Sequence, residues 1–153
     1  TFKGAAKRLQ VLRHNDDSTV YLDFAHAPSK VTATVKALKG QYPERKLIAC
    51  LELHTFSSLN KEFIQHYKDS LELADEAYVF VNPEAVKHKN MELPEKSYIQ
   101  ESFGRKDLKV VMDNQEISEI LNSLSLKNAN LLLMSSGNFG RMDLHQLEKE
   151  KVK

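Results

Sequence analysis

Apolar positions along the chain fall into two patterns, short continuous runs and longer segments with helical spacing. The runs cover residues 20–24, 47–51, 77–81, 108–112 and 131–134. Three segments between them repeat apolar residues every three or four positions: Val31, Val35 and Leu38; Leu59, Phe63, Ile64, Tyr67 and Leu71; Ile117, Ile120, Leu121 and Leu124. Because strands that are apolar throughout must be buried on both faces, this alternation predicts a parallel sheet covered by helices on both sides.

Three stretches depart from this alternation. Residues 8–12 are separated from the strand at residue 20 by the turn-forming cluster 15–18, which predicts an antiparallel hairpin at one edge of the sheet. Residues 82–96 contain prolines and lysines, and we predict a surface loop with little regular structure there. A charged helix is predicted from Asp143 onward. The fold class is therefore α/β, with a mostly parallel sheet and an antiparallel edge hairpin.

Local signals and composition indicate one domain. Pro28 suits the first turn of its helix, and Asp113 with Glu116 forms a candidate capping box before the helix that follows. With 153 residues and 41% hydrophobic content, the chain is long enough for one ordinary core and short for two. Since it opens on Thr1 rather than Met, we expect a fragment of a longer protein.

Charge and cysteine content exclude several classes of protein. Lys and Arg total 22 against 21 Asp and Glu, so no bulk attraction to nucleic acid or an anionic membrane is expected. The single cysteine, Cys50, lies in an apolar run and is expected to be a buried side chain in a reducing compartment. No apolar stretch approaches the ~20 residues that cross a bilayer. We therefore expect a soluble cytoplasmic protein.

Polar residues follow the apolar runs. In open α/β sheets, ligands bind outside the carboxyl ends of the strands, so these residues form one candidate surface. They are Asp23 and His26, Glu52 and His54, Asn82, Asp113 and Asn114, and the segment 135–140, which reads SSGNFG.

Each of these side chains has a functional and a structural interpretation. Asp23 could accept hydrogen bonds from ribose hydroxyls, or it could only cap a turn. His26 could bind a phosphate, or it could only bond to nearby backbone. Carboxylate and imidazole also suit zinc or manganese, but Asp23, His26 and His54 include no short-range ligand pair, so no metal site is predicted.

The glycine-containing segment 135–140 could bring backbone amides close to an anion or a substrate carboxylate, or it could only supply a left-handed turn. It matches neither a dinucleotide fingerprint nor a phosphate loop. Without a phosphate loop, the chain is not expected to hold the ATP triphosphate and magnesium by itself.

Three segments resemble one family in the order expected of it. Residues 2–10, FKGAAKRLQ, resemble the F-x-G-x-x-x-R-x-[EQ] entry into the C-terminal domain of Mur ligases. Residues 23–29, DFAHAPS, resemble their D-[YF]-[AG]-H-x-P signature, and SSGNFG resembles the loop after their last strand. The resemblance implies a Rossmann-like three-layer domain over residues 1–153, belonging to ATP-dependent ligases of peptidoglycan synthesis.

The resemblance also implies partners and roles. Mur ligases have a UDP-sugar domain and a central ATPase domain, and the resemblance implies that both are absent from this sequence. They use UDP-N-acetylmuramic acid, ATP and magnesium, the last held mainly by the central domain. Arg8 matches a hinge arginine near the adenosine. Asp23 matches the acid that binds the ATP ribose, and His26 matches a histidine near the nucleotide and the incoming amine. The fragment alone is expected to be inactive.

Substrate choice depends on residues 52–58, ELHTFSS, which align with P-H-R-[YF]-[ST]-R of the L-alanine-adding branch. His54 and Phe56 match, whereas Thr55 and Ser58 replace two arginines that would suit a carboxylate. The resemblance therefore favours the branch that adds the tripeptide L-alanyl-γ-D-glutamyl-meso-diaminopimelate, with the L-alanine-adding branch as the alternative. The implied substrate-binding residues are His26, His54, Phe56, Ser135, Gly137 and Asn138.

Two functions from other classes stay open on the residues alone. One is a stand-alone module that binds a nucleotide or another anion at the carboxyl edge of the sheet. The other is a protein-interaction domain without a ligand site, which a flat and apolar carboxyl edge would indicate.

Overall fold

A computed structural model describes residues 9–55, 58–88, 92, 94–137 and 139. The strands in these ranges are β1 (Gln10–His14), β2 (Thr19–Asp23), β3 (Lys46–Leu53), β4 (Glu76–Val81), β5 (Lys109–Val111) and β6 (Ala129–Met134). The helices are α1 (Pro28–Gln41), α2 (Lys61–Ile64) with a 3-10 turn at Gln65–Tyr67, α3 (Pro83–His88), α4 (Lys96–Phe103) and α5 (Asn114–Ser123).

The strands form one sheet in the order β1-β2-β6-β3-β4-β5. β1 pairs antiparallel with β2, and every other pair is parallel. This arrangement confirms the predicted α/β class with a mostly parallel sheet and an antiparallel edge hairpin. β6, whose six residues are all buried, lies between β2 and β3, so the carboxyl ends of these three strands are neighbours.

Two hydrophobic cores cover the two faces of the sheet. In β3, Leu47, Ala49, Leu51 and Leu53 belong to the core that also contains side chains of α1, α2 and α4. Ile48 and Cys50 belong to the opposite core, beneath α5. Buried residues therefore alternate along β3 between the faces, as a three-layer architecture requires.

Several local predictions are confirmed. Pro28 lies in the first turn of α1, and the Asp113 side chain caps α5 by accepting a hydrogen bond from the Glu116 amide at 3.0 Å. Cys50 is buried, and this burial, helped by the charge of Glu52, raises the pKa of its thiol. The helix predicted from Asp143 lies outside the described residues.

The predicted helix over residues 59–71 is wrong in part, because only Lys61–Ile64 and the 3-10 turn Gln65–Tyr67 are helical. Its residues form α2, a 3-10 turn and further turns, and Asp69 has a left-handed backbone with φ 65°. Leu59, Ile64, Tyr67 and Leu71 are nevertheless buried, because irregular turns can also bring apolar side chains to a core at that spacing.

The predicted loop over residues 82–96 is also wrong in part, since it contains α3 and precedes α4. The Asn82 side-chain oxygen accepts hydrogen bonds from the Glu84 and Ala85 amides at 3.0 and 3.4 Å, so Asn82 caps α3. None of the helices within the described ranges is long and apolar enough to span a bilayer.

At the amino-terminal ends of the strands, opposite the candidate surface, charged side chains form hydrogen bonds that join neighbouring elements. The Asp75 carboxylate accepts hydrogen bonds from the Leu47 amide and the Lys39 ammonium, each at 2.7 Å. Partial burial of Asp75 raises the pKa of its carboxyl, but these two hydrogen bonds and the positive charge of Lys39 outweigh it, so the pKa lies below its usual value.

Candidate functional site

The candidate site begins where β2 ends. Asp23 is only 3% exposed, and its backbone oxygen accepts a hydrogen bond from the Ser135 amide at 3.0 Å, which joins the ends of β2 and β6. One carboxylate oxygen of Asp23 accepts from the Ala25 amide at 3.1 Å, and the other accepts from the Thr34 hydroxyl at 2.9 Å. The turn-capping role is therefore present. Since each carboxylate oxygen can accept two hydrogen bonds, each retains capacity for a ligand hydroxyl.

Asp23 and His26 line the same open groove between the β2 end and α1, a cavity of about 390 Å³. Leu9 and Phe24 give it apolar walls, and on α1 the small side chains of Ala33 and Ala37 leave space. A groove with apolar walls and a carboxylate in its lining can hold a planar ring joined to a hydroxylated sugar. Lys30 and Thr34 complete the α1 side of the groove.

Two contacts orient His26. Its Nδ1 lies 3.2 Å from the Phe24 backbone oxygen, and because a carbonyl only accepts, Nδ1 must donate in this contact. The Tyr67 hydroxyl donates to the His26 backbone oxygen, and the Tyr67 ring stacks on Phe103 with centroids 5.1 Å apart. Burial raises the pKa of the Tyr67 phenol, which keeps it a neutral donor. His26 therefore makes a hydrogen bond to nearby backbone, as its purely structural interpretation predicts.

A second cluster lies where β3 ends. The His54 Nδ1 is 3.3 Å from the Ser136 hydroxyl. A Cβ atom added to Gly137 would lie 2.7 Å from the His54 ring, so glycine is what allows this close approach. The structure thus brings His54 and Gly137 together. Arg8, Phe56 and Asn138 lie outside the described residues.

The positions at which the L-alanine-adding pattern has arginines form a closed turn. Thr55 and Ser58 are joined by a hydrogen bond between their hydroxyls at 2.8 Å, and each amide donates to the other residue's hydroxyl at 3.1 Å. Ser58 is only 2% exposed. These two side chains therefore satisfy one another and present no cation to a ligand.

Sequence reasoning placed Glu52 on the candidate surface but missed its role in holding this site together. Glu52 is 1% exposed, and its carboxylate accepts hydrogen bonds from the Ser135 hydroxyl, the Phe139 amide and the Asn82 side chain. The signal was a single acid inside the otherwise apolar strand LIACLEL, because a charge there must find partners when it is buried. Among the described residues, no group of three or more His, Cys, Asp or Glu side chains could hold a metal ion.

Comparisons with known proteins find similar ligases. UDP-N-acetylmuramate–L-alanine ligases from Ligilactobacillus salivarius and Lactobacillus helveticus are 38% and 26% identical to the chain over 79 and 143 residues, or 52% and 94% of it. The matched regions are 17% and 31% of those relatives, so the chain spans less than a third of their length.

A solved structure is similar over the whole domain. It is a domain assigned to a UDP-N-acetylmuramate:L-alanyl-γ-D-glutamyl-meso-diaminopimelate ligase from Haemophilus ducreyi, with 26% identity, a TM-score of 0.65, and coverage of 93% of this chain and 98% of that one. The model of the family described as Mur ligase, glutamate ligase domain, matches residues 7–137. The chain therefore belongs to the Mur ligase family, whose glutamate ligase domain it contains.

Proposed function

We propose that residues 1–153 are the C-terminal domain of an ATP-dependent ligase that joins L-alanyl-γ-D-glutamyl-meso-diaminopimelate to UDP-N-acetylmuramic acid. The observation that carries the proposal is the groove at the carboxyl edge of the sheet, which Asp23 and His26 both line. The greater length of the relatives supports the presence of a UDP-sugar domain and a central ATPase domain in the full-length protein. Because the reaction uses ATP and a UDP-sugar, we expect it to take place in the cytoplasm.

In this proposal the domain supplies one side of the ATP site. The Asp23 carboxylate accepts hydrogen bonds from the ribose hydroxyls, and the apolar groove walls contact the adenosine. His26, and Arg8 by its place in the family motif, lie beside the nucleotide. The triphosphate and magnesium belong to the central domain, because no phosphate loop occurs in this chain.

The incoming amine site is assigned to the second cluster. His54, Ser135 and Gly137 contribute to it, together with Phe56 and Asn138. The closed Thr55–Ser58 turn supports a peptide over L-alanine, since no arginine is present there to bind an amino acid carboxylate. The L-alanine-adding reaction is the second candidate, favoured by the similarity of the chain to two UDP-N-acetylmuramate–L-alanine ligases.

Release of ADP tests the proposal. The full-length protein that contains this chain is incubated with ATP, magnesium and UDP-N-acetylmuramic acid, and with either the tripeptide or L-alanine. We expect ADP release that depends on the tripeptide, and a reaction with L-alanine alone would select the second candidate.

Calorimetry separates this proposal from a stand-alone nucleotide-binding module. Residues 1–153 alone are expected to bind ATP weakly or undetectably, because half of the ATP site lies in another domain. Micromolar binding by this fragment would favour the stand-alone module and count against the proposal.

A further inference from the structure

Glu52 is a buried acid at the end of β3. Register pairs Glu52 with Phe80 of β4, and alternation along β3 directs its side chain to the face that carries Ile48 and Cys50. Its side chain therefore lies at the edge of a hydrophobic core, where a carboxylate is costly unless hydrogen bonds satisfy it.

Glu52 accepts hydrogen bonds from both ends of the loop that follows β6, at Ser135 and at Phe139. Its Oε1 accepts from the Ser135 hydroxyl at 2.5 Å and from the Phe139 amide at 2.9 Å. The Ser135 oxygen in turn accepts from the Gly137 amide at 2.7 Å. The Phe139 side chain is 1% exposed within the core beneath α5, so one end of this loop is held by packing as well.

The other carboxylate oxygen of Glu52 contacts the NH2 group of Asn82, which can only donate hydrogen bonds. Its Oε2 accepts from the Asn82 Nδ2 at 3.2 Å. The Asn82 amide cannot turn around without loss, because its oxygen already caps α3 through the Glu84 and Ala85 amides. Position 52 must therefore offer acceptors on both sides, which a carboxylate does and a glutamine amide does not.

We propose that Glu52 is a positioning residue for the incoming amine site. By joining Ser135, Phe139 and Asn82, it sets the loop conformation in which Ser136 and Gly137 contact His54. The Ser135 hydroxyl then acts through the loop rather than on the substrate. The identity of the substrate in this inference rests on the proposed ligase function. The contacts between Glu52 and the loop do not depend on it.

A double-mutant cycle between Glu52 and Asn82 tests this assignment. Glu52→Gln places an amide donor against either Asn82 or Phe139, and Asn82→Asp places two carboxylates together, so both variants should loosen the loop. In the double variant, the new amide at position 52 can donate to the new carboxylate at position 82, so the hydrogen bond between the two positions is restored with its direction reversed. The carboxylate at position 82 can still cap α3. The matched control is Glu76→Gln, because Glu76 pairs with Lys46 at the start of β4, at the opposite edge of the sheet.

Hydrogen exchange of the loop amides is measured first, because it does not depend on any ligase activity. In each single variant, we expect the Phe139 amide to exchange about tenfold faster, with most of this change reversed in the double variant. Ser135→Ala is a milder second variant, which should accelerate exchange at Gly137 more than at Phe139. Unchanged exchange at both amides in Glu52→Gln and Ser135→Ala would overturn the assignment whatever the enzyme's substrate is.

Steady-state kinetics of the full-length ligase then test the link to the substrate. We expect the KM for the incoming amine to rise about tenfold in Glu52→Gln, with the KM for ATP unchanged and with recovery in the double variant. A loosened loop with an unchanged KM for the amine would refute the positioning role. A wild-type protein without ligase activity would instead reject the proposed function, and the exchange result would still test the loop contacts.

Discussion

Replacing Asp23 by asparagine isolates the ligand-binding capacity of this carboxylate from its role in the turn. The new side chain keeps an oxygen that can accept from the Ala25 amide, and its NH2 group can donate to the Thr34 hydroxyl oxygen. Both local hydrogen bonds can therefore persist, and the fold should survive. The charge is lost, together with the second acceptor oxygen.

The size of the expected change in the KM for ATP follows from the free energy of a hydrogen bond between the Asp23 carboxylate and a ribose hydroxyl. A hydrogen bond to a charged group contributes roughly 1.5–3 kcal/mol, about twice the contribution of a neutral one. Losing the charge should therefore cost about half of this for one ribose hydroxyl, on the order of 0.75–1.5 kcal/mol. Since about 1.4 kcal/mol corresponds to tenfold, we expect the KM for ATP to rise about 3- to 12-fold.

The assay is steady-state ADP release by the full-length ligase at saturating concentrations of both other substrates, with thermal unfolding to verify the fold. Asp107→Asn is a matched control, because Asp107 is an exposed carboxylate that pairs with Arg105 at 2.7 Å and does not line the groove. A KM for ATP within twofold of wild type in Asp23→Asn, with the protein folded, would refute the assignment of Asp23 to the nucleotide.

Three further predictions concern other parts of the chain. Gly137→Ala should displace the His54 ring and shift its NMR resonances, whereas Gly40→Ala, where nothing lies within 4 Å, should leave them unchanged and stabilise α1 by up to about 1 kcal/mol. The lowered pKa of Asp75 in the folded state means that its contribution to stability is present above its unfolded pKa of about 3.9 and lost as pH falls through the folded pKa. Denaturation by urea between pH 2 and 5 should therefore depend less on pH in Asp75→Asn, and an identical pH dependence in both proteins would contradict this account. Because burial raises the pKa of its thiol, Cys50 should react with a thiol reagent at pH 8 only as fast as the protein unfolds, and rapid labelling of the native protein would contradict its burial.

Local chemistry explains which parts of the site could be predicted. Asp23 and His26 are three residues apart at the end of one strand, so a short turn was enough to bring them to one groove. The Asp113 cap depends only on an amide three residues later. Interactions of this kind are present in the sequence because the partners are close along the chain.

The partners of Glu52 could not be predicted in the same way. Asn82 is 30 residues away and Ser135 is 83 residues away, and they meet only because β3 lies between β4 and β6 in the sheet. Strand order is decided by which apolar surfaces pack together, and no single segment contains that information.

The sequence by itself determined the alternating strands and helices, because burial on both faces requires apolar runs. It also determined which residues follow the strand ends and the family motif around Asp23. Only the tertiary structure decided that the segment from Leu59 to Leu71 turns instead of continuing as a helix, and that Glu52 joins three strand ends. The physical reason is that the turns in this segment and the contacts of Glu52 depend on residues distant in sequence. The free energy of those contacts exceeds that of the local conformational preferences.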